Sequence, residues 1–460
     1  MLLALRLVRL TTLLAVLLAA GSAQAGPPGT WSRVTEPLLR NIDQVGLART
    51  ADGILHVAWP KSLPGGPHEI WHTRIAASGI VGGSNLASGG WGSIGTDPDL
   101  VVMPDGSLRL LFNAIGNSPD QLGLLSATAP ADGGTWTPHG GRISPATTVQ
   151  AVGATLLADG TPIVAYSSGF GLHSHSGLNS GDPDVAFAGS VSSKCCLYNP
   201  DIATDESGGQ AVVAFFSNRD GEACIYVQEL GGPVTLVDDA FGEFAGRKDF
   251  VSPDQRMPIV ARAGGGVYLA YCKGYPSCSA VRLWRALSEA GPVNVAKGGD
   301  IEDVNVSRGP EGRLWVMWWD AGKDRIYATR TNKKATKPGP ITTLKIPNGQ
   351  DHVWKLFGEG SAGPLDLLAS VTDSGNVAYH HMQVLPVLSL SCKKTGKGVT
   401  CTVTDAGDSV AGAKVKVGSK TATTQANGKV SIDLGPGRYK ATTSRDGYAP
   451  SRSVGIRIPR

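Results

Sequence analysis

Acidic residues recur at or just before the start of short apolar segments along this chain of 460 residues. A carboxylate in such a place can bind a ligand hydroxyl or serve as a general acid or base. It can also simply hydrogen-bond the backbone of a turn. Both interpretations stay open for Asp99, Asp201, Asp303 and the pair Asp351–His352, and Arg256 occupies an equivalent point.

Two histidines, His173 and His175, lie in the longest predicted loop, Ser167–Asp184. Imidazoles two residues apart share one side of an extended segment, so with Asp182 or Asp184 they could bind a metal ion. A polar surface loop is the other interpretation, and we favour it because the segment is rich in Ser and Gly. We expect neither a metal ion nor a cofactor in this protein.

The elements that must position these residues follow from an internal repeat. A glycine recurs six residues ahead of an aromatic residue that ends an apolar run, and successive glycines lie 47 to 56 residues apart. The pairs are Gly53–Trp59, Gly106–Phe112, Gly160–Tyr166, Gly209–Phe215, Gly265–Tyr271 and Gly312–Trp318, and a seventh glycine, Gly363, lacks the aromatic partner. A repeat of this length with one hairpin turn per unit predicts a seven-bladed β-propeller, with six blades as the alternative.

Each unit is expected to have a third strand after a variable loop, which in the third unit is Asp184–Phe187. The sequence of the seventh unit shows no fourth strand, and the early segment Thr30–Thr35 could supply it and close the ring. In a propeller the starts of the first strands share one face over the central channel. The repeat therefore predicts that the acidic residues, Arg256, His352 and the histidine loop gather at that face.

Composition agrees with an all-β protein. The chain has 61 glycines and 29 prolines, while charged residues make up 17 % and hydrophobic residues 41 %. These values exclude long charged helices and wholesale disorder. After Pro386, short alternating strands with Gly-rich turns predict a small β-sandwich. We therefore expect a propeller over residues 26–385 and a sandwich over residues 386–460.

Charge is distributed unevenly between the two predicted domains. Residues 26–385 carry a net charge of −7, whereas residues 386–460 carry +9. An acidic propeller argues against binding to nucleic acid. The basic segment could meet an anionic cell-envelope polymer, or its charge could simply be solvated. We expect a monomer.

The first 25 residues predict a signal peptide that is cleaved after Ala23-Gln24-Ala25, because an Arg-containing start precedes a short apolar run. No later segment is apolar enough to span a membrane, so we expect a secreted protein. Seven cysteines fit an oxidising compartment. Local disulfides are expected for Cys272 with Cys278 and for Cys392 with Cys401, and Cys224 is expected to pair with Cys195 or Cys196.

Two family resemblances follow from these residues. The sequences of the predicted strand pairs, such as Gly312–Thr331, resemble the repeats of the sialidase-like (BNR-repeat) propellers of secreted bacterial proteins. The tail, with its Val410–Ala413 turn, Gly435–Tyr439 and Gly447-Tyr448, resembles the carboxypeptidase regulatory-like domain. This second resemblance implies a prealbumin-type sandwich that serves as an accessory or adhesion module.

The sialidase resemblance would imply an Arg-Ile-Pro motif, three substrate-binding arginines and a Tyr/Glu pair. The motif occurs only at Arg457–Pro459 in the tail, and Arg256–Pro258 is its nearest equivalent in the propeller. We therefore favour a non-catalytic binding or adhesion protein for carbohydrate or cell-envelope ligands. A diverged sialidase-like glycoside hydrolase is the alternative.

Overall fold

The computed structural model describes residues 28–37, 44–62, 68–94, 98–116, 121–147, 149–168, 171–179, 181–187, 197–217, 224–241, 256–274, 278–347, 352–373, 375–396 and 398–459. Strands dominate this part of the chain, and its short helical turns include the 3-10 turns Pro310–Gly312 and Ala321–Lys323. The predicted signal peptide, residues 1–25, lies outside the described residues.

Seven antiparallel sheets form the blades of a propeller. Named here from the channel outward, blade 1 contains Gly46–Arg49, Leu55–Ser62, His68–Ile75 and Val81–Trp91. Blade 2 contains Asp99–Val102, Leu108–Ile115, Leu122–Ala129 and Thr137–Pro138, with Ser93–Ile94 also paired to the second of these strands. Blade 3 contains Gln150–Leu156, Pro162–Ser168, Gly171–Ser176 and Asp184–Phe187. Blade 4 contains Leu197–Thr204, Ala211–Ser217, Cys224–Glu229 and Val234–Phe241.

The remaining three blades complete the ring. Blade 5 contains Ile259–Ala261, Val267–Lys273, Cys278–Arg285 and Val293–Gly299. Blade 6 contains Ile301–Arg308, Leu314–Asp320, Arg325–Arg330 and Thr342–Leu344. Blade 7 contains Val353–Glu359, Leu365–Asp373, Asn376–Val384 and, as its outer strand, Ser32–Arg33. The innermost strands contact one another in this order, and that of blade 7 contacts that of blade 1.

The repeat glycines make the turns between first and second strands. Gly53, for example, has a φ of 86°, which only glycine adopts freely, and its N–H donates to the Thr50 carbonyl over 2.9 Å. The apolar runs that follow pack between blades, with aromatic residues such as Phe112 and Phe215 fully buried. The prediction of seven blades is confirmed.

The ring closes with the early segment, as predicted. Ser32 pairs with His381 and Arg33 with His380, so the outer strand of blade 7 comes from the beginning of the propeller sequence. Flanking bonds extend this junction, because Gly29 N–H donates to Gln383 O and Val34 N–H donates to Tyr379 O. Blade 7 therefore has no open outer edge along this stretch.

One strand was assigned wrongly from the sequence. The third strand of blade 3 is Gly171–Ser176, and Asp184–Phe187 is its fourth strand. The sequence of the third strand, GLHSHS, is polar and therefore predicts a loop. It pairs with the apolar second strand, where Tyr166 lies opposite His173 and Val164 opposite His175.

The tail forms two four-stranded sheets. The first consists of Ser389–Thr395, Gly398–Asp405, Asp408–Ser409 and Lys429–Asp433, and the second of Lys420–Thr423, Lys414–Val417, Gly437–Ser444 and Val454–Ile458. Alternate residues such as Val403, Val415 and Ala441 form a shared core. This arrangement confirms the predicted β-sandwich.

A buried ion network joins the sandwich to blade 6. Arg330 Nη2 lies 2.5 Å from Asp405 Oδ2, and Arg313 Nη2 lies 2.8 Å from Asp408 Oδ2. Tyr448 donates its hydroxyl to the same Asp405 oxygen over 3.2 Å, and the Arg330 guanidinium lies over the Tyr448 ring. Asp405 is 1 % exposed, so these partners replace the water that would otherwise stabilise its carboxylate.

Two disulfides confirm part of the cysteine assignment. Cys272 bonds to Cys278 across the second and third strands of blade 5, and Cys392 bonds to Cys401 within the sandwich. Both bonds fit an extracellular environment. Cys195 and Cys196 lie outside the described residues, as does the side chain of Cys224, so their pairing stays a prediction.

Candidate functional site

A cavity of about 700 Å³ occupies the central channel of the propeller. Residues from all seven innermost strands, or from their ends, line it. We call the end where the innermost strands begin the upper mouth and the end where they finish the lower mouth. Pockets that bind small molecules are typically ~300–1,000 Å³, so the channel has room for a ligand.

Arg256 reaches across the upper mouth. It precedes the innermost strand of blade 5, yet its Nη1 lies 2.6 Å from Asp99 Oδ2 in blade 2. Its Nε donates to Gln44 Oε1 over 2.6 Å, and its Nη2 donates to the Val45 carbonyl over 2.8 Å, both just before blade 1. One guanidinium thus joins opposite sides of the ring.

Asp99 connects several blades at this mouth. Its Oδ1 accepts the N–H of Leu100 over 2.9 Å, and its Oδ2 accepts the N–H of Ala154, in blade 3, over 2.7 Å. Together with Arg256, these bonds tie blades 2, 3 and 5 through a single carboxylate. Both oxygens are therefore engaged by the protein.

Asp201 occupies the equivalent position in blade 4. Its Oδ1 accepts the N–H of Ile202 over 2.8 Å, and the strand is irregular just before it. Burial and the neighbouring Asp99 raise the pKa of Asp201 to about 7, although Arg256 acts in the opposite direction. Asp201 is thus a carboxyl group that gains or loses its proton near neutral pH.

Asn305 shares this position in blade 6 and was missed in the sequence. Its Oδ1 accepts the N–H of Val306 over 2.7 Å, as the two aspartates do with their own neighbours, and its Nδ2 donates to the Leu356 carbonyl. Asn305 lies seven residues before the repeat glycine Gly312, as Asp99 lies seven before Gly106. That shared offset is the signal that could have found it.

Glycine fills the same position in two blades and makes room for the aspartates. A Cβ at Gly46 would come within 2.9 Å of the Asp99 backbone, and one at Gly153 within 2.8 Å of the Asp201 Cα. The upper mouth therefore places a side chain on blades 2 and 4 against bare backbone on blades 1 and 3.

Asp303 and His352 lie beside the channel and do not line the described part of the cavity. Asp303 is 1 % exposed, and its Oδ2 accepts the N–H of Leu356 in blade 7 over 2.6 Å. His352 Nε2 lies 3.5 Å from Glu302 Oε2, and its ring meets Trp354 edge-on. Both residues thus lie where blades 6 and 7 meet, and a role for them in ligand binding stays a prediction. Asp351 lies outside the described residues.

His173 and His175 do not join the channel residues either. They lie on the third strand of blade 3, away from the channel, and each Nδ1 faces the Asp184 carboxylate at 3.9 and 3.8 Å. Tyr166 donates its hydroxyl to the same carboxylate, and its ring stacks on His173. Burial and Asp184 raise the pKa of Tyr166. Among the described residues, no group of three or more His, Cys, Asp or Glu side chains is arranged to hold a metal ion.

The other channel end carries ion pairs as well. Arg49 of blade 1 pairs with Glu359 and Asp366 of blade 7, and Arg308 of blade 6 pairs with Glu206 at the end of blade 4. His381 shares the Asp366 carboxylate over 2.8 Å. The charged side chains at the lower mouth thus form ion pairs. The upper mouth differs because it also holds Asp201, whose pKa is raised.

The histidines of blades 1 and 7 form two separate groups. His56 Nδ1 and His72 Nε2 are 2.9 Å apart inside blade 1, and His72 also contacts Trp136 of blade 2. His381 instead faces blade 1 from blade 7, through Asp366 and Arg49. The two histidine groups lie on opposite faces of blade 1.

Within the described residues, no helix is long and apolar enough to cross a bilayer. No curated protein matches the chain. Similar solved structures include the α-L-arabinanase of Penicillium chrysogenum complexed with arabinobiose, at 14 % identity and a TM-score of 0.44, covering 68 % of this chain and 99 % of that one. They also include the GH93 α-L-arabinofuranosidase of Fusarium graminearum with arabinobiose, at 12 % identity and a TM-score of 0.40, covering 76 % and 97 %.

The polysaccharide lyase Uly1 is a further similar structure, at 8 % identity and a TM-score of 0.46, covering 78 % of this chain and 99 % of that one. Similarity at this level carries no conclusion about activity. The sialidase-like repeat resemblance of the propeller stays a prediction. Residues 398–460 of the tail match the family model of the carboxypeptidase regulatory-like domain.

Proposed function

We propose that the protein is a non-catalytic carbohydrate-binding protein whose ligand is held at the upper mouth of the propeller channel. The observation that carries this proposal is the set of polar side chains at one ring position, Asp99, Asp201 and Asn305. Each is fixed in place by a hydrogen bond from the next backbone N–H. Polar groups held rigidly at the mouth of a cavity with room for a ligand suit a ligand rich in hydroxyl groups.

The bonds that Asp99 already makes within the protein favour binding over hydrolysis. Hydrolysis of a glycosidic bond ordinarily needs one protonated carboxyl and a second carboxylate that is free to act on water or on the sugar. Asp99 is the carboxyl group that acts on Asp201, and both of its oxygens already accept bonds from Leu100, Ala154 and Arg256. It is better placed to brace the ring than to act as base or nucleophile.

A diverged glycoside hydrolase is the second candidate, and Asp201 favours it. A carboxyl group with a pKa near 7 has the property required of a general acid at neutral pH. This candidate still requires a free carboxylate opposite Asp201.

A glycan array followed by calorimetric titration of the strongest hits tests binding with the full chain. Asp201→Asn keeps the shape of the site but removes the titratable group, and it should change affinity at least severalfold. Glu206→Gln, at the lower mouth of the same cavity, is the matched control and should bind as the unmodified protein does. If the two variants behave alike, the upper mouth is not the site.

A panel of fluorogenic glycosides separates the two candidates. No turnover is expected with the unmodified protein. Turnover that disappears in Asp201→Asn would overturn the proposal in favour of the hydrolase, and the absence of any glycan binding would overturn it outright.

A further inference from the structure

The outer face of one sandwich sheet carries a line of cations, which we call the basic stripe. It comprises Lys414 and Lys416 of one strand, Arg438 and Lys440 of the next, and Arg457 of the third. All five are exposed, whereas the residues between them, such as Val415 and Ala441, point into the sandwich core. Strand alternation therefore fixes these cations on a single surface.

The other outward positions of this sheet carry no charge. They are the hydroxyl residues Thr421, Thr423, Thr442 and Ser444 and the glycine Gly455. Among the described residues, none of the five cations forms an ion pair with a carboxylate. The stripe is thus a region of positive charge without internal compensation.

Strand register arranges the cations in a diagonal line. Arg438 lies opposite Arg457, Lys440 follows two residues later, and Lys416 and Lys414 continue on the neighbouring strand, opposite Thr442 and Ser444. With a rise of ~3.4 Å per residue and a strand spacing of ~4.8 Å, Arg457 and Arg438 are about 5 Å apart, and the later steps along the line are about 7–8 Å. Steps of this length along an extended line suit an extended polymer that carries one negative charge per short repeat.

Two features argue against a purely solubilising role. Like charges placed directly opposite each other on adjacent strands, as Arg438 and Arg457 are, destabilise a sheet. Lysines that protect a sheet edge from unwanted pairing belong on edge strands. Lys414 and Lys416 instead occupy Lys414–Val417, which is paired on both sides.

We propose that the basic stripe is a docking surface for a linear polyol phosphate polymer of the cell-envelope type, with phosphates bound by successive cations along the line. The two disulfides place the protein outside the reducing cytosol, which favours an envelope polymer over nucleic acid. This surface lies on the sandwich and is separate from the carbohydrate site proposed for the channel.

Binding of the full chain to a synthetic poly(glycerol phosphate) long enough to span the stripe tests the proposal. For five phosphate contacts, the logarithm of the association constant should fall against the logarithm of salt concentration with a slope of about −3.5. The double variant Lys416→Gln, Lys440→Gln should reduce that slope to about −2 and weaken binding at low salt by about tenfold or more.

The double variant Lys393→Gln, Lys429→Gln is the matched control. It removes the same charge from exposed positions on the other sheet. Equal weakening in both double variants would show that net charge alone drives binding, and would overturn the proposal. Tighter binding to single-stranded DNA or to anionic lipid vesicles than to the polyol phosphate would overturn it as well, as would no binding at low salt. Thermal unfolding of each variant confirms that the sandwich is intact.

Discussion

Asp201 makes the stability of the propeller depend on pH in a defined direction. Because burial and Asp99 raise the pKa of Asp201 to about 7, the folded protein holds a proton that the unfolded chain releases near pH 4. The contribution of this group to the free energy of unfolding therefore decreases as the pH rises from about 4 to 7. Above pH 7 the loss of free energy of unfolding caused by this group has reached its full size.

Asp201→Asn should therefore stabilise the protein at pH 8. The amide cannot ionise, so the gain in free energy of unfolding should be on the order of 1–3 kcal/mol at pH 8 and should disappear below pH 4. Denaturant unfolding at the two pH values measures it. Glu206→Gln, which alters an exposed pair, should change stability by less than ~1 kcal/mol at either pH. Equal stability of Asp201→Asn and the parent at pH 8 would contradict the raised pKa.

The histidine pair of blade 1 acts with the opposite sign. Burial lowers the pKa of both His56 and His72 to about 4, and for His56 the neighbouring His72 lowers it further. The unfolded chain therefore binds protons between pH 6.5 and 4 that the folded state excludes. Each ring should reduce the free energy of unfolding by up to about 1.4 kcal/mol per pH unit as the pH falls through this window.

A series of denaturant melts from pH 7 to pH 4 tests the histidine prediction. His56→Gln should give a shallower dependence on pH, because one of the two titrating rings is gone. Thr73→Val, which changes a buried residue of the same blade without removing a titrating group, should leave the dependence as steep as in the parent. A flat profile for the parent would contradict the prediction.

At the scale of single elements, Gly153 shows how tightly neighbouring innermost strands approach. A methyl group there would collide with Asp201, including its Cα at 2.8 Å, and backbone cannot move aside easily. Gly153→Ala should cost about 1–3 kcal/mol and should also weaken ligand binding at the upper mouth. Gly140→Ala is the control, since nothing lies within 4 Å of the added Cβ. Chemical denaturation of both variants decides the matter, and equal stability would show that the strands can separate.

The sequence predicted the hairpins well because two independent signals coincided in each. A turn glycine such as Gly106 and a buried aromatic such as Phe112 mark the two ends of an apolar run. The third strand of blade 3, Gly171–Ser176, was not predicted, because pairing with the strands on both sides stabilises it and its own residues are not hydrophobic. Strand propensity is decided by context in such a case.

The arrangement of side chains at the upper mouth follows from the sequence only in part, and for a related reason. Asp99, Asp201 and Arg256 do meet at one mouth, because the repeat fixes where innermost strands begin. The sequence could not show that Arg256 crosses the ring, since its partner Asp99 lies far away along the chain. The sequence predicts Asp303 for this position, but Asn305 holds it, because the distance from the repeat glycine and not the charge decides which side chain reaches the mouth.

At the scale of the whole molecule, Asp405 should decide whether the sandwich and the propeller unfold together. Asp405→Ala leaves Arg313 and Arg330 without their shared buried partner, and removing one member of a buried pair costs about 3–5 kcal/mol. We expect calorimetry to show a separate transition for the sandwich at lower temperature. Glu311→Ala, which breaks an exposed pair with Lys333 in the same blade, should leave the transitions unchanged. An unaltered profile in Asp405→Ala would show that this network does not couple the two domains.

The pairing of Ser32–Arg33 with His380 and His381 also sets an order of events during biosynthesis. Earlier blades can begin to form as soon as their own strands have left the ribosome, since domains generally fold from the N-terminus during synthesis. The segment around Ser32 must stay unpaired until about 350 further residues have been made, because its partner strand is the last one of the propeller. The last step in building the ring is therefore the meeting of its oldest and newest strands, and a chain interrupted within blade 7 retains an open edge.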